Sequence, residues 1–221
     1  MSAPGSKPTI KQQRAAERER KLEEFRKRES RMKRNRLIAI WGSVGAGVVI
    51  VGLVAASIVL APRSPSYTAG GEGAEIEGVA TFENSSAHVE TPVDYEQTPP
   101  AGGEHHPYWL NCGVYEEPVP NEYAVHSQEH GAIWVTYDAD ALTDDELSTL
   151  RSVLPSTYVI LSPFDGLPAP IVLSGWNVQL EVDEADDPRI AEFVEEYWQS
   201  SDVPEPGASC TGAIDAPGKV S

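Results

Sequence analysis

The chain has little with which to carry out covalent chemistry. Its 221 residues include two cysteines and two methionines. No Gly-x-Ser-x-Gly elbow, phosphate-binding loop or dinucleotide-binding glycine motif occurs, so the enzyme classes that those motifs mark find no support. Basic residues are scarce over most of the length. After Arg36 only Arg63, Arg151, Arg189 and Lys219 remain, against 29 Asp and Glu. Such a balance excludes nucleic acid as a partner of the long C-terminal part. Charge of either sign is missing from Leu37 to Leu60.

That uncharged run exceeds the roughly 20 apolar residues that carry a helix across a bilayer core. Met1 to Arg36 ahead of it carries 13 Lys and Arg against 5 Asp and Glu. Basic flanks stay in the cytoplasm. The expected topology is a basic cytoplasmic tail at 1–36, a single transmembrane signal-anchor helix at 37–60, and everything beyond it extracytoplasmic. The partners expected of this part are the lipid bilayer and, for the basic tail, anionic lipid headgroups. Pro62 directly after Leu60-Ala61 makes a poor signal-peptidase site. Residues 1–9 read as disordered. Residues 10–36 read as a charged helix, with Glu17–Lys21 and Glu24–Arg28 in the favourable i, i+4 order. The small residues Gly42, Ser43, Ala46 and Gly47 reflect the usual composition of spanning helices rather than a helix-pairing seam.

Beyond the span, residues 61–86 read as a flexible linker, 87–213 as one extracytoplasmic domain and 214–221 as a disordered tail. The two cysteines, Cys112 and Cys210, both lie on the exported side, where a disulfide is permitted. Their simplest use is one bridge. Closing a loop of about 100 residues stabilises a fold by roughly 4–5 kcal/mol in the chain-entropy picture.

The domain reads as α+β. Residues 87–121 are rich in Pro, Gly and aromatics and have no period, which suggests an ordered irregular segment. Strands are expected at 132–137, 158–161 and 171–176, the last extended by Val178, Leu180 and Val182. A helix opens at Thr143 with a capping box to Glu146 and runs to about Leu154. Another opens at Asp187-Pro188, with Ile190, Phe193, Val194 and Tyr197 on one face. The expectation is a sheet of three to four strands covered by two helices.

All five histidines follow the span, and Val125-His126-Ser127-Gln128-Glu129-His130-Gly131 is the sharpest segment among them. On a helix, His126 and His130 stand with Cβ atoms about 6 Å apart on one face, within reach of one metal ion. On a strand the same spacing is about 13 Å, too far. Asn121 as N-cap and Gly131 just past the end favour a short helix over 122–130. His105 or His106 supplies a third ligand. Imidazole suits copper or zinc. His126-x-x-Glu129-His130 also matches an inverted zinc-protease pattern in which Glu129 is the general base. The plainer alternative is a structural or interaction module of the cell envelope, with the histidines hydrogen-bonded inside the loop.

The motifs His88-Val89, Pro99-Pro100-Ala101-Gly102-Gly103-Glu104-His105, Cys112-Gly113-Val114-Tyr115 and Val125-His126-Ser127-Gln128-Glu129-His130-Gly131 resemble, in this order, a bacterial and largely actinobacterial family known as domain of unknown function 3105. The resemblance covers about 88–213. It implies a membrane-tethered exported domain and brings no activity with it. Carried over residue by residue, it marks His88, His105, His126, Glu129 and His130. Gln128 stands where the family usually has Leu.

The expected topology has a direct test. Protease added to intact cells digests the C-terminal domain and spares the basic tail. The reverse pattern overturns the orientation.

Overall fold

A computed structural model of the chain describes residues 10–60 and 65–220. The expected disorder at 1–9, the start of the expected linker at 61–64 and the last residue, Ser221, lie outside them. The chain divides into two compact units, 1–61 and 62–221.

The first unit is one helix, α1, Ile10–Leu60. Its apolar stretch, mean hydropathy 2.4, is long and apolar enough to cross a membrane. On the charged part, Lys21 bonds Glu17 at 2.9 Å and Lys33 bonds Glu29 at 2.7 Å. These are the i, i+4 contacts that a 3.6-residue period brings together.

The second unit is built on a six-stranded mixed sheet. In chain order its elements are β1 (Ala80–Thr81), β2 (Gly113–Val114), α2 (Asn121–Glu129), β3 (Ile133–Tyr137), α3 (Asp144–Val153), β4 (Val159–Pro163), β5 (Ile171–Gly175), β6 (Val178–Val182) and α4 (Pro188–Tyr197). The strand order is β1-β6-β5-β3-β4-β2. β3 pairs in parallel with β4 through the crossover helix α3, and antiparallel with β5. Every residue of β3, β4 and β5 is buried. Covered on both faces, these strands read as continuous apolar runs instead of alternating ones.

Alternate residues of β3 point into two different cores. Ile133, Val135 and Tyr137 pack with Leu150 of α3 and with Ile190, Phe193 and Val194 of α4. Trp134 packs on the opposite face with Leu110, Tyr115 and Ala124, the last from α2. The caps expected of α3 and α4 are present. Thr143 and Glu146 form the capping box, and the Asp187 carboxylate accepts from the Arg189 N–H ahead of Pro188 at the first turn. Helix α2 starts one residue early, with Pro120 as its cap residue and no side-chain cap bond.

Three expectations are corrected. The residues beyond Gly175 do not extend β5. They turn at Trp176-Asn177 and return as the separate antiparallel strand β6. Asn177, at φ 63°, supplies the left-handed step that the turn needs. The expected linker 61–86 is ordered from residue 65. Tyr67, Ile76 and Val79 pack on the α3/α4 core, Ala80–Thr81 pair with β6, and the Glu196 carboxylate accepts from the N–H groups of Glu72, Gly73 and Ala74. The expected disordered tail is also tied down, because Ile214 bridges Leu110, Lys219 bridges Tyr115, and Ala216 is buried. Cys112 and Cys210 stand at disulfide distance, Cα–Cα 5.4 Å, inside the range that the bond requires.

Gly131 joins α2 to β3 and cannot be replaced cheaply. Its φ is +93°, and an added Cβ would lie 2.9 Å from the Gln199 Cα. Gly131→Ala combines left-handed strain with a backbone clash. A loss of about 1–3 kcal/mol is expected, read as a lowered urea midpoint with unchanged m. An unshifted midpoint refutes the reading.

Candidate metal centre

The site grows from the C-terminal turn of α2. The helix ends in a Schellman closure, in which the Gly131 N–H donates to the Gln128 carbonyl at 2.9 Å and the Ala132 N–H to the Ser127 carbonyl at 3.0 Å. This stop leaves His126, Glu129 and His130 on adjacent positions of the last turn. The next residues enter the central strand, so the turn is anchored at the middle of the domain. The Ser127 hydroxyl donates to the Leu110 carbonyl at 2.6 Å. The buried Gln128 amide binds the approaching loop at two points, accepting from the Gly102 N–H at 2.8 Å and donating to the Pro100 carbonyl at 3.0 Å.

That loop delivers His105. Its N–H donates to the Ala87 carbonyl, and its own carbonyl accepts from the Val89 N–H at 2.7 Å, a parallel bridge that places His88 beside it. The imidazole of His105 also stands edge-on to Trp176 at the tip of the β5–β6 turn, 5.7 Å between ring centres.

Four side chains converge. The Oε2 of Glu129 lies 3.0 Å from the Nε2 of His105, 3.4 Å from that of His88 and 4.0 Å from that of His126. On the far side of His126, its Nε2 lies 3.0 Å from the Nε2 of His130, which in turn lies 3.2 Å from the Oε2 of Glu205. Two groups thus offer ligand atoms all within 4.8 Å of one another, His88–His105–His126–Glu129 and His126–His130–Glu205. His105, His126, Glu129 and His130 are buried, while the side chains of His88 and Glu205 keep 42% and 49% of their exposure.

The other ring nitrogens fix the tautomers. Nδ1 of His105 meets the Gly103 carbonyl at 2.8 Å, Nδ1 of His126 the His106 carbonyl at 2.7 Å, and Nδ1 of His130 the Ser209 carbonyl at 2.7 Å. A carbonyl only accepts, so each Nδ1 carries the hydrogen and, in the neutral ring, each Nε2 turns a lone pair inward. This is the arrangement that orients histidine ligands in metal sites.

Burial is the largest influence on His126 and pushes its pKa down to about 4. The His106 carbonyl acts the other way, and His130 and His105 add to the lowering. Burial alone would raise Glu129. In the metal-free protein a second proton on His105 lets its Nε2 donate to the carboxylate, and that bond and charge, helped by His126 and His88, outweigh burial and hold the carboxyl below its ordinary value. Neutral His126 and ionised Glu129 are the forms that bind a cation.

All four histidines marked in the sequence are present, but they divide. His130 belongs with Glu205 rather than with His88 and His105, and His126 touches both sets. Glu129, expected as a general base and marked by the family resemblance, is a ligand-type neighbour of three imidazoles. Of the two loop histidines, His105 enters the cluster. His106 packs at a tilt on Tyr123, 4.4 Å between ring centres, and contributes only its carbonyl. Glu205 carried no signal, because it sits in the irregular run Pro204-Glu205-Pro206. It reaches the site by its own N–H, which donates to the Glu129 carbonyl at 3.2 Å.

The family model described as "Protein of unknown function (DUF3105)" matches residues 88–212, more than half of the chain. No curated protein and no solved structure matches.

The His126 shift predicts a pH response of the metal-free protein. Its folded pKa of about 4 lies below the ordinary 6.5, so the unfolded chain takes up the proton first. Stability therefore falls as pH drops from about 6.5 towards 4, and is unaffected by this group above that window. Melting temperatures with chelator present, measured in steps through the window, should show a decline that His126→Gln flattens. Equal slopes in the two proteins refute the assignment.

Proposed function

The chain belongs to the DUF3105 family, whose matched span holds every residue of the cluster, and on that basis we propose that it is a membrane-anchored, extracytoplasmic domain that binds a transition metal. The ligands are His126, shared between His105, His88 and Glu129 on one side and His130 and Glu205 on the other. Copper and zinc are the metals that imidazole and carboxylate donors suit. The helix 37–60 is the anchor, and the basic segment before it faces the cytoplasm and anionic headgroups. A cysteine pair at disulfide distance agrees with export.

One observation carries the reading. His126 and His130 bring their Nε2 atoms within 3.0 Å while both Nδ1 atoms donate to backbone carbonyls. Two lone pairs at that distance repel unless a cation or proton lies between them. Nitrogens bonded to one ion at about 2.1 Å stand roughly 3.0–3.4 Å apart. His105 repeats the pattern against the Glu129 carboxylate. A purely structural cluster would be expected to turn at least one ring to donate through Nε2.

The hydrolase alternative needs Glu129 as a free base. Its Oε2 instead lies 3.0–4.0 Å from the Nε2 atoms of His105, His88 and His126, the place of a further ligand, which favours binding over hydrolysis.

Full-length protein purified in detergent should carry or take up one copper or zinc ion per chain, measured by elemental analysis and titration. His105→Ala and His126→Ala should each weaken binding by about 10-fold or more. A wild-type protein that is metal-free and fails to bind either ion overturns the proposal. So does an His126→Ala protein that melts lower with unchanged metal content, the signature of an envelope module held together by its histidines.

A further inference from the structure

The two ligand sets share a single atom, and this decides how many ions they hold. His126 offers only Nε2, because its Nδ1 is committed to the His106 carbonyl. A neutral imidazole nitrogen has one lone pair and serves one ion at a time. The inner set, His88–His105–His126–Glu129, and the outer set, His126–His130–Glu205, therefore cannot both be complete.

We infer that the protein carries one ion that passes between two positions through His126, entering at Glu205 and His130 and coming to rest among His105, His88 and Glu129. The inference rests on the metal-binding reading above.

Four features favour transfer over a single fixed site. The path is short, since the Nε2 of His126 lies 3.0 Å from that of His130 and 4.0 Å from the Glu129 Oε2. Each position supplies one carboxylate, Glu205 outside and Glu129 inside, so a divalent ion meets the same formal charge at both. The rings of His126 and His130 are pinned by main-chain carbonyls, so the ion moves while those ligands stay. The members between are buried, and each set has one half-exposed member, His88 at 42% and Glu205 at 49% of side-chain exposure. Both positions are therefore open to exchange.

The direction follows from the ligands. The outer set has two imidazoles and a partly hydrated carboxylate. The inner set has three imidazoles and a buried carboxylate, and attraction between cation and carboxylate strengthens as water is excluded. The outer set loads quickly and the inner set holds.

The test uses full-length protein in detergent with Cu2+ as the probe, followed by electron paramagnetic resonance and by stopped-flow quenching of tryptophan fluorescence. Wild type should bind one ion and not two. The variant combining His130→Ala with Glu205→Gln should still bind one ion but load about tenfold more slowly, because an exposed carboxylate raises the local cation concentration at a mouth. The variant combining His88→Ala with His105→Ala should load quickly, release readily and give a spectrum with fewer coordinated nitrogens. Circular dichroism confirms that each variant is folded. Two ions bound together in wild type overturn the inference, and so does an outer-set variant whose stoichiometry, spectrum and loading rate all match wild type. Failure of the wild type to bind Cu2+ or Zn2+ at all overturns the metal-binding reading instead.

Discussion

Five polar side chains in succession, His126 to His130, are buried at the end of α2. A buried polar group without a partner costs about 1–3 kcal/mol, and more if charged. The surrounding chain is organised to meet that demand. Leu110 receives the Ser127 hydroxyl, and the Pro100–Gly102 loop wraps the Gln128 amide. His105 and His88 close on Glu129, and the 205–209 segment comes in to meet His130. Much of the irregular half of the domain is therefore shaped by partners for one turn of helix. This accounts for a 35-residue stretch without regular period being ordered at all.

The setting of that turn matters as much as its contents. α2 feeds directly into β3, the strand paired on both sides at the centre of the sheet. The opposite core, filled by α3 and α4, holds this strand in place. The tip of the β5–β6 hairpin adds a second fixed point, because Asn177 accepts from the Phe82 and Asn84 N–H groups and donates its own to the Ala101 carbonyl, next to the loop that delivers His105. Ligands held between a central strand and a tight turn lose little freedom when an ion arrives, which is the requirement for a well-oriented site.

Features set by local chemistry were legible in the sequence. The Thr143–Glu146 capping box, Pro188 at the start of α4, the apolar runs of β3 to β5 and the glycine stop after His130 each depend on a few neighbouring residues. The convergence of His126 and His130 followed from helical spacing alone. Features set by distant partners were not legible. Ala80–Thr81 and Gly113–Val114 are strands only because β6 and β4 present open edges to them. The return at Trp176-Asn177 lacked the glycine that usually announces a hairpin. Glu205 reaches its place through a backbone bond to residue 129, 76 positions earlier. Gln128, which stands where the family usually has Leu, clamps the loop that brings His105 in.

The atoms that orient His105, His126 and His130 are main-chain oxygens of residues 103, 106 and 209. Every amino acid carries that oxygen. At 106 and 209 the side chain can drift with the bond intact, whereas Gly103, at φ +121° against the Tyr95 ring, is confined by shape. The supports of this cluster are thus written in the path of the backbone and leave almost no imprint on residue identity. A search for the site by its spelling would find the histidines and miss what aims them.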